Sequence, residues 1–523
     1  MLNTPIHTPI HTPIHIPLTE LLYDGDHEIS MQKLLSDLNL DTVTASLLHI
    51  NLAQMLDNTI TIYDKLMMPD NINRMSKFDK SKNTSTIQII NHRLPNDDLI
   101  TAYTYGYKMV FNNIISMTYD IPAAVDNMMR VTKVLCCEHK FVSGKHNKYV
   151  REYTINMCVN LEELCADGNM EITTCEPFAK TLKKLSAPGD CGITNAGLTH
   201  CTIIEKLNAD NNANITTCTP FAQTLKILSA NNKCGITDAG LTFCTIIEEF
   251  HANNNAKITT CDPFAQTLKI LSVNNKCGIA DAELSRCTII EELHADDNAK
   301  ITTCDPFAQT LEILLANDKC GITDAGLLRC TIIKTLYADN NTKITICDPF
   351  ARTLRILSAK GECGISDTGL TCCKNIEMLD ADNNTKITMC APFERTLRKL
   401  WINGICGITD TSLKNCINIG ELFADNNTKI TTCAPFARTL EILSADVQCG
   451  ITDAGLTRCK NIKILWASDN HKITTCAPFK KTIRSLTASG SCGISDDELR
   501  SCINLKQLYA LRNPKITLCI SEI

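Results

Sequence analysis

Aromatic residues are scarce, at 5% of 523 residues with only two tryptophans. That is low for a conventional globular core, which usually rests more heavily on large rings. No run of about 18 apolar residues is present, which excludes an ordinary membrane-spanning helix. The opening MLNTPIHTPIHTPIHIPLTELL has neither a basic leader nor a continuous apolar stretch, so no secretory signal is expected. Basic excess is also lacking: the net charge is −6 and the pI about 6.1, which argues against a protein that coats nucleic acid or an anionic membrane. No glycine-rich phosphate loop, nucleophile triad or C-x₂-C zinc pair occurs. The expectation is a non-enzymatic protein with no cofactor and no metal. Its expected location is intracellular, in the cytoplasm.

What the chain has in quantity is cysteine, 30 residues of it, set on a lattice. One column follows ITTC and its variants and runs from Cys175 to Cys519 in steps of 43 residues. A second precedes Gly-Ile, from Cys191 to Cys492, and a third runs from Cys158 to Cys502, both with the same step. A fixed period of this length is the signature of a stacked repeat. Each 43-residue unit splits into related halves of 21 and 22 residues, with apolar residues at positions 1, 4, 6 and 12. Leu225, Leu228, Ala230 and Ile236 show the pattern. From Leu161 onward this gives about 17 coils. Asparagine recurs at position 9 of every first half, as at Asn212, Asn341 and Asn427. Side-chain amides there can satisfy backbone groups that turn away from a sheet. In ITDAG, the aspartates Asp238, Asp324 and Asp453 are placed to cap a short helical turn. The PF pairs supply a phenylalanine column, Phe178 to Phe479, for the core.

This frame, Leu-x-x-Leu-x-Leu-x-x-Asn or Cys, resembles the leucine-rich repeat family. CGITDAGL resembles its cysteine-containing subtype, known from many F-box-associated proteins. The resemblance covers roughly three quarters of the chain. It implies an α/β repeat solenoid, a curved horseshoe with a parallel concave sheet, that binds protein partners on the concave face.

The domain reading follows. Residues 1–20 form a disordered tail of TPIH repeats, in which His7, His11 and His15 have nothing to organise them around a metal. Residues 21–130 form a small helical region, with Leu34, Leu38, Leu48, Leu52 and Leu56 at helical spacing and a polar linker near 69–86. Residues 131–160 form an irregular capping coil, and 161–523 the array. Arg93 to Tyr103, RLPNDDLITAY, resembles the start of an F-box. That resemblance implies an alternative role as a ubiquitin-ligase substrate receptor, with a degenerate box near 90–130 and an SKP1-like adaptor as partner.

The cysteines read as structural filler. Spacings of 16, 10 and 17 residues do not converge ligands on zinc, and so many equivalent thiols offer no distinctive nucleophile. The Asp-Asn-Asn runs supply too few carboxylates for calcium. On the sheet face, position 2 alternates acid and base from Glu162 to Arg398, a self-neutralising ladder. Position 5 is small or polar in the N-terminal half, then becomes Tyr337, Trp401, Phe423, Trp466 and Tyr509. Aromatic residues on an open sheet face are typical interface anchors. These five are the candidate protein-binding residues for a partner whose identity the sequence does not carry.

Overall fold

The computed structural model describes residues 161–518, apart from residue 171, and five upstream strands: Asp57–Tyr63, Phe78–Asp79, Thr86–Ile90, Lys108–Asn112 and Val134–Cys136. The chain forms two compact units, Met1–His251 and Ala252–Ile523. In the first unit, Phe78–Asp79 pairs antiparallel with Asp57–Tyr63. The other strands pair in parallel from Asp57–Tyr63 through Thr86–Ile90, Lys108–Asn112 and Val134–Cys136 to Glu163–Ala166. From there they continue to Glu249–His251. Where the region expected to be helical is described, it is strand. Thr59, Ile60, Thr61 and Ile62 alternate β-branched residues, a period-2 signal that competes with the helical reading. The leucine-rich stretch at 30–56, the tail histidines and the rest of 131–160 lie outside the described residues.

In the second unit, twelve three-residue strands run from Ile270–Ser272 to Gln507–Tyr509, each parallel to the next. In Glu421–Phe423, Leu422 is buried while its neighbours are half-exposed, the alternation expected of a one-sided strand. Template positions 1, 4, 6 and 12 are sealed: Leu440, Leu443, Ala445 and Ile451 are all at 0% exposure. The phenylalanine column from Phe178 to Phe479 is buried, each ring in a one-turn 3₁₀ segment opened by proline.

Asparagine at position 9 works as expected. Asn427 Nδ2 donates to the Ile402 carbonyl of the preceding coil at 2.7 Å, and its Oδ1 accepts the Lys429 N–H at 3.0 Å. Asn341, Asn384, Asn470 and Asn513 repeat the first bond. The preceding residue takes the left-handed conformation, with φ of 57° at Asn340, Asn383 and Asn426. Asparagine tolerates that region better than most residues. The Asp-Asn-Asn run is thus a bend signal. Its aspartate is committed to the scaffold: Asp425 Oδ1 accepts both the Ser444 hydroxyl at 2.6 Å and the Asp446 N–H at 2.8 Å.

The aspartates of ITDAG correct the capping expectation. They occupy the first helical position after a threonine, and no side-chain cap bond forms. Asp453 reaches to the next coil instead, accepting the Thr474 N–H at 2.8 Å and its hydroxyl at 2.6 Å. Asp324 does the same to Thr345. A one-turn helix has little dipole to cap, while the exposed backbone of the neighbouring coil offers a donor. Close stacking also explains Gly455, where a Cβ would lie 2.2 Å from the Thr431 carbonyl oxygen.

Candidate functional site

Position 5 is the outward residue of each short strand, and register fixes the order of that column. Tyr337 faces Ser358, Ser358 faces Asp380, and Asp380 faces Trp401. Trp401 then faces Phe423, Phe423 faces Ser444, and Ser444 faces Trp466. Trp466 faces Thr487, and Thr487 faces Tyr509. Of the five aromatic candidates, the structure brings three together. Trp401 and Phe423 stack with centroids 4.8 Å apart and planes 3° from parallel. Phe423 and Trp466 stack at 5.9 Å and 27°, although a whole strand separates theirs. Tyr337 stands two strands beyond Trp401's neighbour, and Tyr509, 59% exposed, stands past Thr487.

The longer contact depends on Ser444. Strands two apart are separated by about 9.6 Å, too far for ordinary ring stacking unless the rings lean toward each other. Ser444 is small, 4% exposed, and its hydroxyl is turned down onto Asp425. The large–small–large order at Phe423, Ser444 and Trp466 therefore leaves a gap that the two rings close. All three rings end up half-buried, with faces turned to one another and edges toward solvent.

Two polar rows flank the stack. On the side where the strands begin, charged pairs bridge neighbouring coils: Lys334–Glu312 at 2.7 Å, Arg355–Glu377, and Lys463–Glu441 at 2.7 Å. Lys399–Glu421, at 2.9 Å, lies directly beside the Trp401–Phe423 pair. These exposed pairs contribute about 0–1 kcal/mol each and act chiefly to hold register. Where the strands end, aspartates and asparagines link coil to coil. Asn403 Oδ1 accepts the Asp425 N–H at 2.7 Å, and Asp446 Oδ1 accepts the Ser468 N–H at 2.5 Å. Burial, reinforced by Asp425, pushes the Asp446 carboxyl up to about 6. Burial and then Asp382 push Asp380 up to about 6 as well, although Lys360 lies 3.0 Å away. The Asp-Asn-Asn runs, read from sequence as a polar edge where strand meets turn, supply alternate members of this row; Asn403 and Asp446 occupy the same place on the coils between and were not singled out.

The cysteines are scaffold. Of 26 described, 24 are buried, with Cys165 half-buried and Cys372 exposed beside buried Cys373. Burial pushes Cys449 up to about 12. Contact with Cys459, then burial, pushes Cys433 up as well. In one such pair, Cys261 and Cys287, the sulfurs lie 3.4 Å apart. No group of three or more metal-ligating side chains comes together among the described residues. The F-box-like stretch at 90–130 is described only at Ile90 and Lys108–Asn112.

No family model matches the chain, and no curated protein matches it. Similar solved structures include a functional domain of InlJ from Listeria monocytogenes that includes a cysteine ladder, with 16% identity and a TM-score of 0.37 over 70% of each chain. The TLR13–ssRNA13 complex has 12% identity and a TM-score of 0.45, covering 86% of this chain and 72% of that one. The mouse RP105/MD-1 complex has 13% identity and a TM-score of 0.43 over 80% of each chain. The fold assignment rests on the coils themselves. With one short parallel strand for each coil of 21 or 22 residues, a buried asparagine column and buried cysteine columns, the chain has the α/β repeat-solenoid fold that its resemblance to leucine-rich repeats implies.

Proposed function

We propose that this chain is a protein-binding scaffold whose partner sits on the outward face of the parallel sheet, over Trp401, Phe423 and Trp466. One observation carries the reading: three rings gather on the open face of the sheet, at positions where most other coils place small or polar residues. A stack with half-exposed edges offers apolar area and indole N–H donors that are already ordered, which lowers the entropy lost on binding. A catalytic role for the cysteine columns is disfavoured, since a buried thiol held as high as Cys449 is a poor nucleophile. A reducing, intracellular setting accords with so many buried thiols.

The test is affinity capture on the full-length chain, with Trp401→Ala plus Trp466→Ala against Leu328→Ser, an exposed residue away from this face. The tryptophan variant should lose captured protein by about tenfold or more while keeping its circular dichroism, and Leu328→Ser should not. Equal capture by all three proteins refutes the sheet-face reading. A partner retained by both variants, and identified as an SKP1-like adaptor, would shift attention to residues 90–130.

A further inference from the structure

The charged row at position 2 changes character at the C-terminal end of the array. Earlier in the row, Lys334, Arg355 and Lys463 each pair with a glutamate on a neighbouring coil. The next two residues in the row are Arg484 and Lys506, on consecutive coils with no acid between. Lys481 adds another cation three residues before Arg484. These side chains enclose a cleft of 260 Å³ lined by Lys463, Lys481, Thr482, Arg484, Asn504 and Lys506.

The floor of the cleft is ordinary scaffold. Thr482 Oγ1 donates to the Ile462 carbonyl at 2.9 Å, and Asn504 Nδ2 donates to the Lys481 carbonyl at 2.8 Å. The same floor occurs two coils earlier, where Thr439 donates to Ile419 at 2.8 Å and Asn461 to Arg438 at 2.7 Å. There the row reads Gly420, Glu441, Lys463, and its charges cancel. At the later site it reads Lys463, Arg484, Lys506 on an identical floor. Lys463 already meets Glu441, while among the described residues no carboxylate pairs with Lys481, Arg484 or Lys506. The scaffold does not require this concentration of positive charge, because the earlier coils fold without it. Like charges on neighbouring strands also repel.

We infer that this cleft binds an acidic segment of the partner protein, with carboxylates held by Arg484, Lys481 and Lys506. The inference rests on the sheet-face reading for the partner's position, since Lys463 immediately precedes the strand Ile464–Trp466. The arginine fork suits a carboxylate, and the flanking ammonium groups adapt to side chains on either side. Nucleic acid fits less well. The Trp401 and Phe423 faces are closed against each other, so bases cannot interleave between them. The cation row spans only three strands, about 10 Å, which is short for a phosphate tract.

The experiment is fluorescence anisotropy on the full chain with a fluorescein-labelled octaglutamate peptide. Binding should weaken as salt is added. Arg484→Glu plus Lys506→Glu should reduce affinity about tenfold or more. Arg286→Glu plus Arg329→Glu, the same change in net charge at exposed positions elsewhere, should leave it within about twofold. Equal loss in both double variants would reduce the effect to net charge and overturn the inference. So would an oligouridylate of equal charge that binds more tightly through the same residues, or inorganic phosphate at low millimolar concentration that displaces the peptide completely. Failure of octaglutamate to bind, with partner capture still lost in the tryptophan variant, removes the cleft and leaves the sheet-face reading intact. Binding that persists while the tryptophan variant keeps its partner supports an acid-binding cleft and removes the sheet-face reading.

Discussion

The ring stack makes a quantitative prediction through double-mutant cycles. Trp401 and Phe423 are 4.8 Å apart and nearly coplanar in orientation, so their coupling should fall within about 0.5–1.5 kcal/mol. Phe423 and Trp466, at 5.9 Å and 27°, should couple more weakly, near about 0.5 kcal/mol. Trp401 and Trp466 both contact Phe423 rather than each other, and their substitutions should add to within about 0.3–0.5 kcal/mol. Phe423→Ala alone loses both contacts, about 1–2 kcal/mol before any change in buried area. Ser444→Ile tests the geometry independently. A branched side chain at that position should hold the outer rings apart, abolishing the Phe423–Trp466 coupling while sparing Trp401–Phe423. The assay is urea unfolding followed by far-ultraviolet circular dichroism, because the substitutions remove the fluorescent residues. Midpoints should be compared only among variants of equal slope, since repeat arrays can unfold in parts. A Trp401–Phe423 coupling below about 0.3 kcal/mol would refute the stack. So would a Trp401–Trp466 coupling as large as that of the adjacent pair.

Three further outcomes are expected. Asn427→Ala strands the buried Ile402 carbonyl and the Lys429 N–H, and should cost about 2–4 kcal/mol in urea unfolding; a cost within about 0.5 kcal/mol would show that the asparagine column does not hold the coils. Alkylation mapped by mass spectrometry should modify Cys372 in the native protein but Cys433, Cys449 and Cys459 only after denaturation, and Cys449 reacting as fast as Cys372 would contradict its burial. Asp380 and Asp446, both raised from 3.8 to about 6, bind protons more tightly in the folded state. Their contribution to stability is full below the unfolded value and is lost as pH rises through about 6. Moving from pH 7 to pH 5 should therefore raise the urea midpoint through these groups, and Asp446→Asn should flatten that rise; an unchanged profile in the variant would reject the assignment for Asp446.

The lattice was legible because each of its positions answers to one physical demand. Leu443 must point in, Asn427 must reach the coil before it, and Phe436 must fill the space beside its proline. Repetition multiplies each signal, so even the short coil is recognisable. Two kinds of feature escaped. Asp453 looks like a helix cap in one coil and becomes an inter-coil acceptor only when the next coil is placed beside it. The alternating Thr and Ile at 59–62 carry a strand signal in a single short segment, with no repetition to raise it above its helical-looking surroundings. Tyr337 entered the candidate set as an aromatic residue at position 5. Register then placed Ser358 and Asp380 between it and Trp401.

The contrast between lattice and surface narrows where binding specificity can reside. At a buried column, a change meets the coils before and after it, so the same small set of residues returns at every turn. Position 5 and position 2 face outward and meet only their lateral neighbours. A change there is constrained by the next side chain in the row rather than by the core. Trp466 therefore depends on Ser444 being small, and the cluster at Arg484 and Lys506 depends on the absence of an acid that the preceding coils supply. Both departures fall on neighbouring coils of the second unit and meet at the strand Ile464–Trp466, which Lys463 precedes and Trp466 closes. If that proximity serves one partner, octaglutamate and the captured protein should compete. Charge reversal at Arg484 and Lys506 should then weaken capture even with the ring stack intact. Capture that is indifferent to those charges would mean that two unrelated surfaces happen to meet on one strand.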